Sequence, residues 1–177
     1  MFLNESRKEY EKYTFDQENA NQSPFIQFED WFKFAKENAL FEPNAMSIST
    51  CVNHKPTCRI VLLKQFDDSG FVFFTNYKSK KAQEMDQNPS VAATFFWPNI
   101  ERQIRIEGTV GRISSQDSDS YFQTRPRDSQ LSAWASNQSE VIENRELLEK
   151  KLKQIEKKFP SEIPRPDFWG GYKIIPN

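Results

Sequence analysis

A chain of 177 residues suits one domain, and a domain of this size buries roughly 70% of the surface that its unfolded chain exposes. Its 24 Lys and Arg stand against 25 Asp and Glu, a formal net charge of -1, which provides no global positive field for nucleic acid. No apolar run approaches the roughly 20 residues that cross a bilayer, and the 16 Phe, 5 Tyr and 4 Trp promise an aromatic core.

Residues 1–22 are polar and read as a mobile arm; with no signal-peptide core at Met1-Phe-Leu-Asn-Glu, the expected compartment is the cytoplasm. Ser23-Pro24 supplies an N-cap and a first-turn proline. Phe25, Phe28, Phe32, Ala35 and Ala39 then recur at helical spacing, which predicts an amphipathic helix to about Leu40 with its aromatic stripe in the core. Strands are predicted over 45–52, 57–65, 71–75, 91–97 and 100–113, with turns that include Asn53-His-Lys-Pro56, Asp67-Asp-Ser-Gly70 and Pro98-Asn99. A helix over 79–87, stopped by Asn88-Pro89, interrupts them. Helices over 115–124 and 139–159 and a strand over 168–175 complete the order, Glu140 and Glu143 falling in the first turn of the longer helix and Lys157 and Lys158 in its last. Residues 23–177 are thus expected to form one α+β domain, a mostly antiparallel barrel with flanking helices.

Cys51 and Cys58 flank the first turn and would face each other in a simple hairpin register, yet two reduced thiols are the expected state in a reducing compartment. Two cysteines and one histidine argue against a zinc site. His54, in that turn, reads as a surface residue.

The richest segment chemically is Tyr121-Phe-Gln-Thr-Arg125-Pro-Arg127-Asp128-Ser129-Gln130. Tyr121 and Arg125 share one face of a helix that Pro126 ends or kinks, and Ser129 follows in the next turn, a set that suits a phosphate monoester. Surface ion pairs that tie two helices together fit the same residues. Lys80 and Lys81 occupy the positive end of the helix dipole, where acidic residues are favoured. An anion would repair that conflict, and two solvated lysines would tolerate it; Thr75 reaches the same junction from the preceding strand. In the strand Arg59-Ile-Val-Leu-Leu-Lys64 the two cations face opposite sides unless the strand bends. Alternation puts Gln103, Arg105 and Glu107 on one face of their strand, which fits either the edge of a flavin ring or a solvated exterior.

Together, Arg59-Ile-Val-Leu-Leu-Lys64, Phe74-Thr75-Asn76, Ser79-Lys80-Lys81, Glu101-Arg-Gln103, the run 121–130 and Gln138-Ser139 resemble the pyridoxamine 5'-phosphate oxidase family from about Phe25 to Asn177. The resemblance implies an FMN-binding split β-barrel, a homodimer with the flavin at the subunit interface. It implies oxidation of pyridoxamine 5'-phosphate or pyridoxine 5'-phosphate to pyridoxal 5'-phosphate, by hydride transfer from C4' to flavin N5, with O2 as acceptor and H2O2 as product. Arg59, Ile60, Val61, Leu62, Leu63, Lys64, Phe74, Thr75, Lys80, Lys81, Gln103, Gln138 and Ser139 are then expected flavin contacts. Lys64, Tyr121, Arg125 and Ser129 are the expected grip on the substrate phosphate. Arg7 and Tyr10 are similar to an Arg-x-x-Tyr element that closes over the substrate in some members. No catalytic acid, base or metal is expected, since the protein supplies orientation and electrostatics.

Two departures are visible. Lys80 stands where the family commonly has arginine, keeping the charge and losing the planar fork. Family members also continue past the Phe-Trp-Gly-Gly-Tyr strand into a Trp-bearing strand and an Arg-x-His segment that this sequence lacks, so a non-catalytic or impaired module that binds flavin or pyridoxal phosphate is the competing expectation.

Overall fold

A computed structural model describes residues 9–38 and 41–177. The first helix, α1 (Pro24–Glu37), starts where the sequence signals it: the Ser23 side chain accepts from Ile26 N, and Pro24 sits in the first turn, where it forfeits no hydrogen bond. Ala39 and Leu40 lie outside the described residues. Phe28 and Ala35 are buried, and the Phe28 ring plugs one end of the barrel with centroids 4.9 Å from Phe66, 5.0 Å from Phe71 and 5.2 Å from Phe95.

Six strands, β1 (Ala45–Val52), β2 (Lys55–Asp67), β3 (Gly70–Asn76), β4 (Ser90–Trp97), β5 (Arg102–Arg112) and β6 (Trp169–Pro176), close into an antiparallel barrel in the order β1-β2-β3-β6-β5-β4. Alternation decides which side chains face inward: Met46 and Ile48 on β1, and Val91, Ala93, Phe95 and Trp97 on β4, are all buried in one core. The β1–β2 hairpin turns on two residues, Asn53 and His54, both at positive φ, the form whose twist matches the flanking strands. That tight loop corrects the expected cysteine register. With Val52 opposite Lys55, Cys51 faces Pro56 and Cys58 faces Ser49, and both thiols are free.

The remaining helices are α2 (Lys80–Gln87), α3 (Ser115–Thr124), α4 (Arg127–Ala135) and α5 (Arg145–Lys158). Pro126 ends α3 and α4 follows at once. The predicted start at 139 moves to 145, because Ser139 has φ of 70°, which a helix interior does not accept, and the Asn144 side chain caps α5 by accepting from Leu147 N. Residues 136–144 are therefore a loop, and Glu140 and Glu143 precede the helix.

A second cluster of Phe122, Leu131, Ile163 and Trp169 holds α3, α4 and α5 against the outside of β6. Gly170 permits this close approach, since a Cβ there would lie 2.0 Å from Tyr77 Oη and 3.0 Å from Ser118 Oγ. Within residues 9–22, Tyr13 meets Phe34 edge-on at 5.3 Å, Phe15 meets Trp31 at 4.8 Å, and Arg102 donates to Thr14 O at 3.0 Å. No helix among the described residues is long and apolar enough to cross a membrane.

Candidate active site

Between the outer faces of β2 and β3 and the helices α3 and α4 lies a cleft of about 530 Å³. Ile60, Val61, Leu62 and Lys64 border it from β2, and Phe74 and Thr75 from β3. Pairing of Leu63 with Phe73 and of Gln65 with Val72 leaves Lys64 as the extra residue of a β-bulge, the bend that the strand needs if its cations are to serve one ligand.

One part of the cleft lining is built on Lys81. In the first turn of α2 its ammonium is buried, donating to Thr75 Oγ1 at 2.9 Å and to Gln138 Oε1 at 2.9 Å. Thr75 in turn donates to Gln138 Oε1 at 2.7 Å. No carboxylate among the described residues pairs with Lys81. Burial, and secondarily the charge of Arg59, lower its pKa to about 8. Two neutral oxygens at close range, with Ser79 Oγ at 3.5 Å, cannot neutralise a buried ammonium, so this part of the cleft has the charge and donors for an anionic group.

Tyr121, Arg125 and Ser129 belong to the same lining. Tyr121 stacks on Phe74 with centroids 3.9 Å apart, and burial raises its pKa against the lowering charge of Arg125, so the phenol remains a donor. Arg125 is half-buried, its pKa lowered by burial, and its Nη1 is buried with no hydrogen-bond partner. Arg125 lines the cleft, and the protein leaves its guanidinium short of an acceptor. Ser129 N–H is already bonded to Pro126 O at 2.9 Å, so Ser129 can offer its hydroxyl but not its amide. The ion-pair alternative for this segment fails for Arg127, which reaches carbonyls instead: Ser161 O at 2.7 Å and Phe159 O at 2.6 Å.

Other expected residues lie elsewhere. Arg59 donates to Thr50 Oγ1 at 2.6 Å, to Glu84 Oε2 at 2.8 Å and to Thr57 Oγ1, and does not line the cleft. The Lys80 side chain extends into solvent 3.9 Å from Glu84. Leu63 is part of the barrel core. Gln103 is exposed on β5 opposite Phe96, and Ser139 is exposed in the loop after α4. Tyr10 is 64% exposed, and Arg7 lies outside the described residues. Among the described residues no group of three His, Cys, Asp or Glu could hold a metal ion.

The sequence reasoning passed over Trp169, Asn76, Thr124, Ser132 and Ser136, which also line the cleft. For Trp169 a signal existed: two glycines follow it in a strand, a pattern that marks close backbone approach.

Residues 34–159 match the family model described as pyridoxamine 5'-phosphate oxidase. The chain is 52% identical over 173 residues to the pyridoxine/pyridoxamine 5'-phosphate oxidase of Rippkaea orientalis, covering 97% of this chain and 82% of that protein. It is 51% identical to pyridoxine/pyridoxamine 5'-phosphate oxidase 2 of Hydrogenovibrio crunogenus, covering 98% and 83%. Among solved structures, PhzG from Burkholderia lata 383 in complex with tetrahydrophenazine-1-carboxylic acid superposes with a TM-score of 0.87 at 22% identity, covering 93% and 82%. A pyridoxamine 5'-phosphate oxidase-related, FMN-binding protein from Nostoc punctiforme gives 0.68 at 19%, covering 89% and 83%. Those two likenesses establish the shared barrel fold.

Proposed function

The chain belongs to the pyridoxamine 5'-phosphate oxidase family, and from that membership we propose that it oxidises pyridoxamine 5'-phosphate or pyridoxine 5'-phosphate to pyridoxal 5'-phosphate, using FMN and O2. The observation that carries the reading is one cleft lined by two cations, the buried Lys81 and the half-buried Arg125, neither of which has a carboxylate partner among the described residues. The reaction involves two phosphate-bearing molecules, and both cations line the one cleft.

FMN would supply the two-electron acceptor, with O2 taking the electrons on to H2O2. The balance requires pyridoxine phosphate plus O2 to give pyridoxal phosphate plus H2O2, and the amine to consume one water and release ammonia as well. Thr75, Lys81 and Gln138 would hold an anionic part of the cofactor, and Lys64, Tyr121, Arg125 and Ser129 the substrate phosphate. The chain's own contribution is then orientation: Phe74 and Tyr121 form a flat apolar wall, and the cations fix each ligand by its phosphate.

A homodimer is part of the proposal. Gln103 stands on the outward face of β5 opposite Phe96, itself 57% exposed, and Ile60 on the cleft rim is 65% exposed. A second copy docked on the outward face of β2, β1, β4 and β5 would cover these apolar side chains and Gln103. A cytoplasmic setting is part of the same proposal.

The test is oxygen uptake by the FMN-loaded protein with each phosphorylated vitamer, read beside pyridoxal phosphate formation. One H2O2 per aldehyde is expected. Flavin-loaded protein that consumes no oxygen with either vitamer would overturn the proposal.

A further inference from the structure

Trp169, the first residue of β6, carries no role in the reading above, and its surroundings give it one. The indole is 7% exposed and lies nearly parallel to Phe74, at 5.3 Å and 13°, and to Tyr121, at 6.2 Å and 7°. The Arg125 guanidinium carbon lies 4.5 Å from its ring centroid. Two ties hold α3 over β6: Arg165 donates from Nε to Asp119 Oδ1 at 2.6 Å and from Nη1 to Trp169 O at 2.6 Å, and Gly171 N donates to Ser118 Oγ at 3.2 Å. The stack is therefore a built platform.

An arginine side chain has several rotatable bonds, so holding one in a single place without a carboxylate partner costs conformational entropy. Here the indole face holds the cation and shields one of its sides from solvent, while Nη1 is left without an acceptor. We infer that Trp169 is the positioning residue of the phosphate grip: it fixes Arg125 on the cleft wall with an edge presented to the anion. Trp169 thereby sets the preference for phosphorylated over unphosphorylated ligand. The inference rests on the reading that Arg125 meets the substrate phosphate.

The experiment uses the FMN-loaded protein, titrated with pyridoxal 5'-phosphate and, in competition, with inorganic phosphate. Trp169→Phe keeps an aromatic in the stack and shrinks the face beneath Arg125; Trp169→Leu removes the π system. Affinity for both probes is expected to fall about threefold in the first and about tenfold in the second, with FMN affinity within about twofold of the parent. In an Arg125→Ala background Trp169→Phe should have no further effect, because the cation it holds is gone. Phosphate affinity unchanged in both Trp169 variants, while Arg125→Ala loses about tenfold, would overturn the inference and leave the phosphate site standing. Affinity unchanged in Arg125→Ala as well would remove the phosphate reading and this inference together. A joint loss of phosphate affinity, FMN affinity and thermal stability in Trp169→Phe would show a purely structural tryptophan. Should Trp169→Leu fail to fold, Trp169→Phe and the double variant decide alone.

Discussion

Lys81 Nζ donates to Gln138 Oε1 across 2.9 Å, joining the first turn of α2 to the loop that follows α4. Both groups turn toward the cleft, and Thr75 completes the triangle. The ammonium there is a poor fit to its neutral partners and a good fit to a phosphate.

FMN should therefore bind more tightly than riboflavin, by about tenfold or more, and the ratio should depend on pH. With its pKa lowered to about 8, Lys81 is charged below that pH and neutral above it, so the FMN-to-riboflavin ratio is expected to be highest near pH 7 and to fall through pH 8–9. The stability of the ligand-free protein should move the other way. Between about pH 8 and the ordinary lysine value the unfolded chain holds the proton that folded Lys81 has lost, so this group adds stability as pH rises. Flavin fluorescence titrations at several pH values check the first half. A ratio that stays flat in Lys81→Met and slopes in the parent would assign the titration to this lysine.

Tyr121→Phe should weaken the phosphorylated vitamer by about tenfold and leave the melting temperature nearly unchanged. The stack on Phe74 does not need the hydroxyl, whereas a phosphate oxygen does. Ligand titration beside a thermal melt separates the two.

Glu84 is a structural centre. One of its oxygens, Oε2, accepts from Thr50, Thr57 and Arg59 at 2.6, 2.7 and 2.8 Å. Burial alone would raise its pKa, and these three donors reverse that and lower it. Glu84→Ala would leave the Arg59 guanidinium largely buried with its counter-charge gone, and a loss of about 3 kcal/mol is expected in urea unfolding. Since the folded carboxylate is the easier one to ionise, the stability it confers is present above the ordinary glutamate pKa and is lost as pH falls through the lowered value. The gap between parent and variant should accordingly narrow in acid.

Gly170→Ala should cost about 1–3 kcal/mol, because the added methyl meets Tyr77 Oη at 2.0 Å and Tyr77 is itself held, with Arg112 4.2 Å over its ring. A drop in melting temperature with reduced affinity for pyridoxal phosphate is the expected pair of effects. A variant that melts like the parent would show that the Tyr77 ring yields easily.

Much of this architecture was legible in the residues. Ser23-Pro24, Pro126 and the alternation in β4 each act locally, so the start of α1, the end of α3 and the inward face of β4 could be read without knowing the fold. The convergence of Tyr121, Arg125 and Ser129 on one cleft was legible because residues so near in sequence share a turn. What could not be read is choice among equivalents. Lys80 and Lys81 are alike in sequence, and packing of α2 on the barrel alone buries one and leaves the other in solvent. The bulge at Lys64 arises from pairing with β3, and the left-handed Ser139 has no local signature. Trp169 joins the cleft through contacts with residues 44–95 positions earlier, which no window of sequence displays.

The placement of Trp169 also bears on how the chain reaches its native state. β6 is the last of the six strands in sequence, and it closes the ring by pairing at once with β3 and β5, so Trp169 must find Asn76 across more than ninety intervening residues. Such distant pairings are slow to form, commonly on the order of milliseconds to seconds, because loop closure precedes any reward from contact. Until that strand arrives Arg125 has no floor. In stopped-flow refolding, capture of pyridoxal phosphate should appear with the final phase and never before it, which makes ligand capture a clock for ring closure.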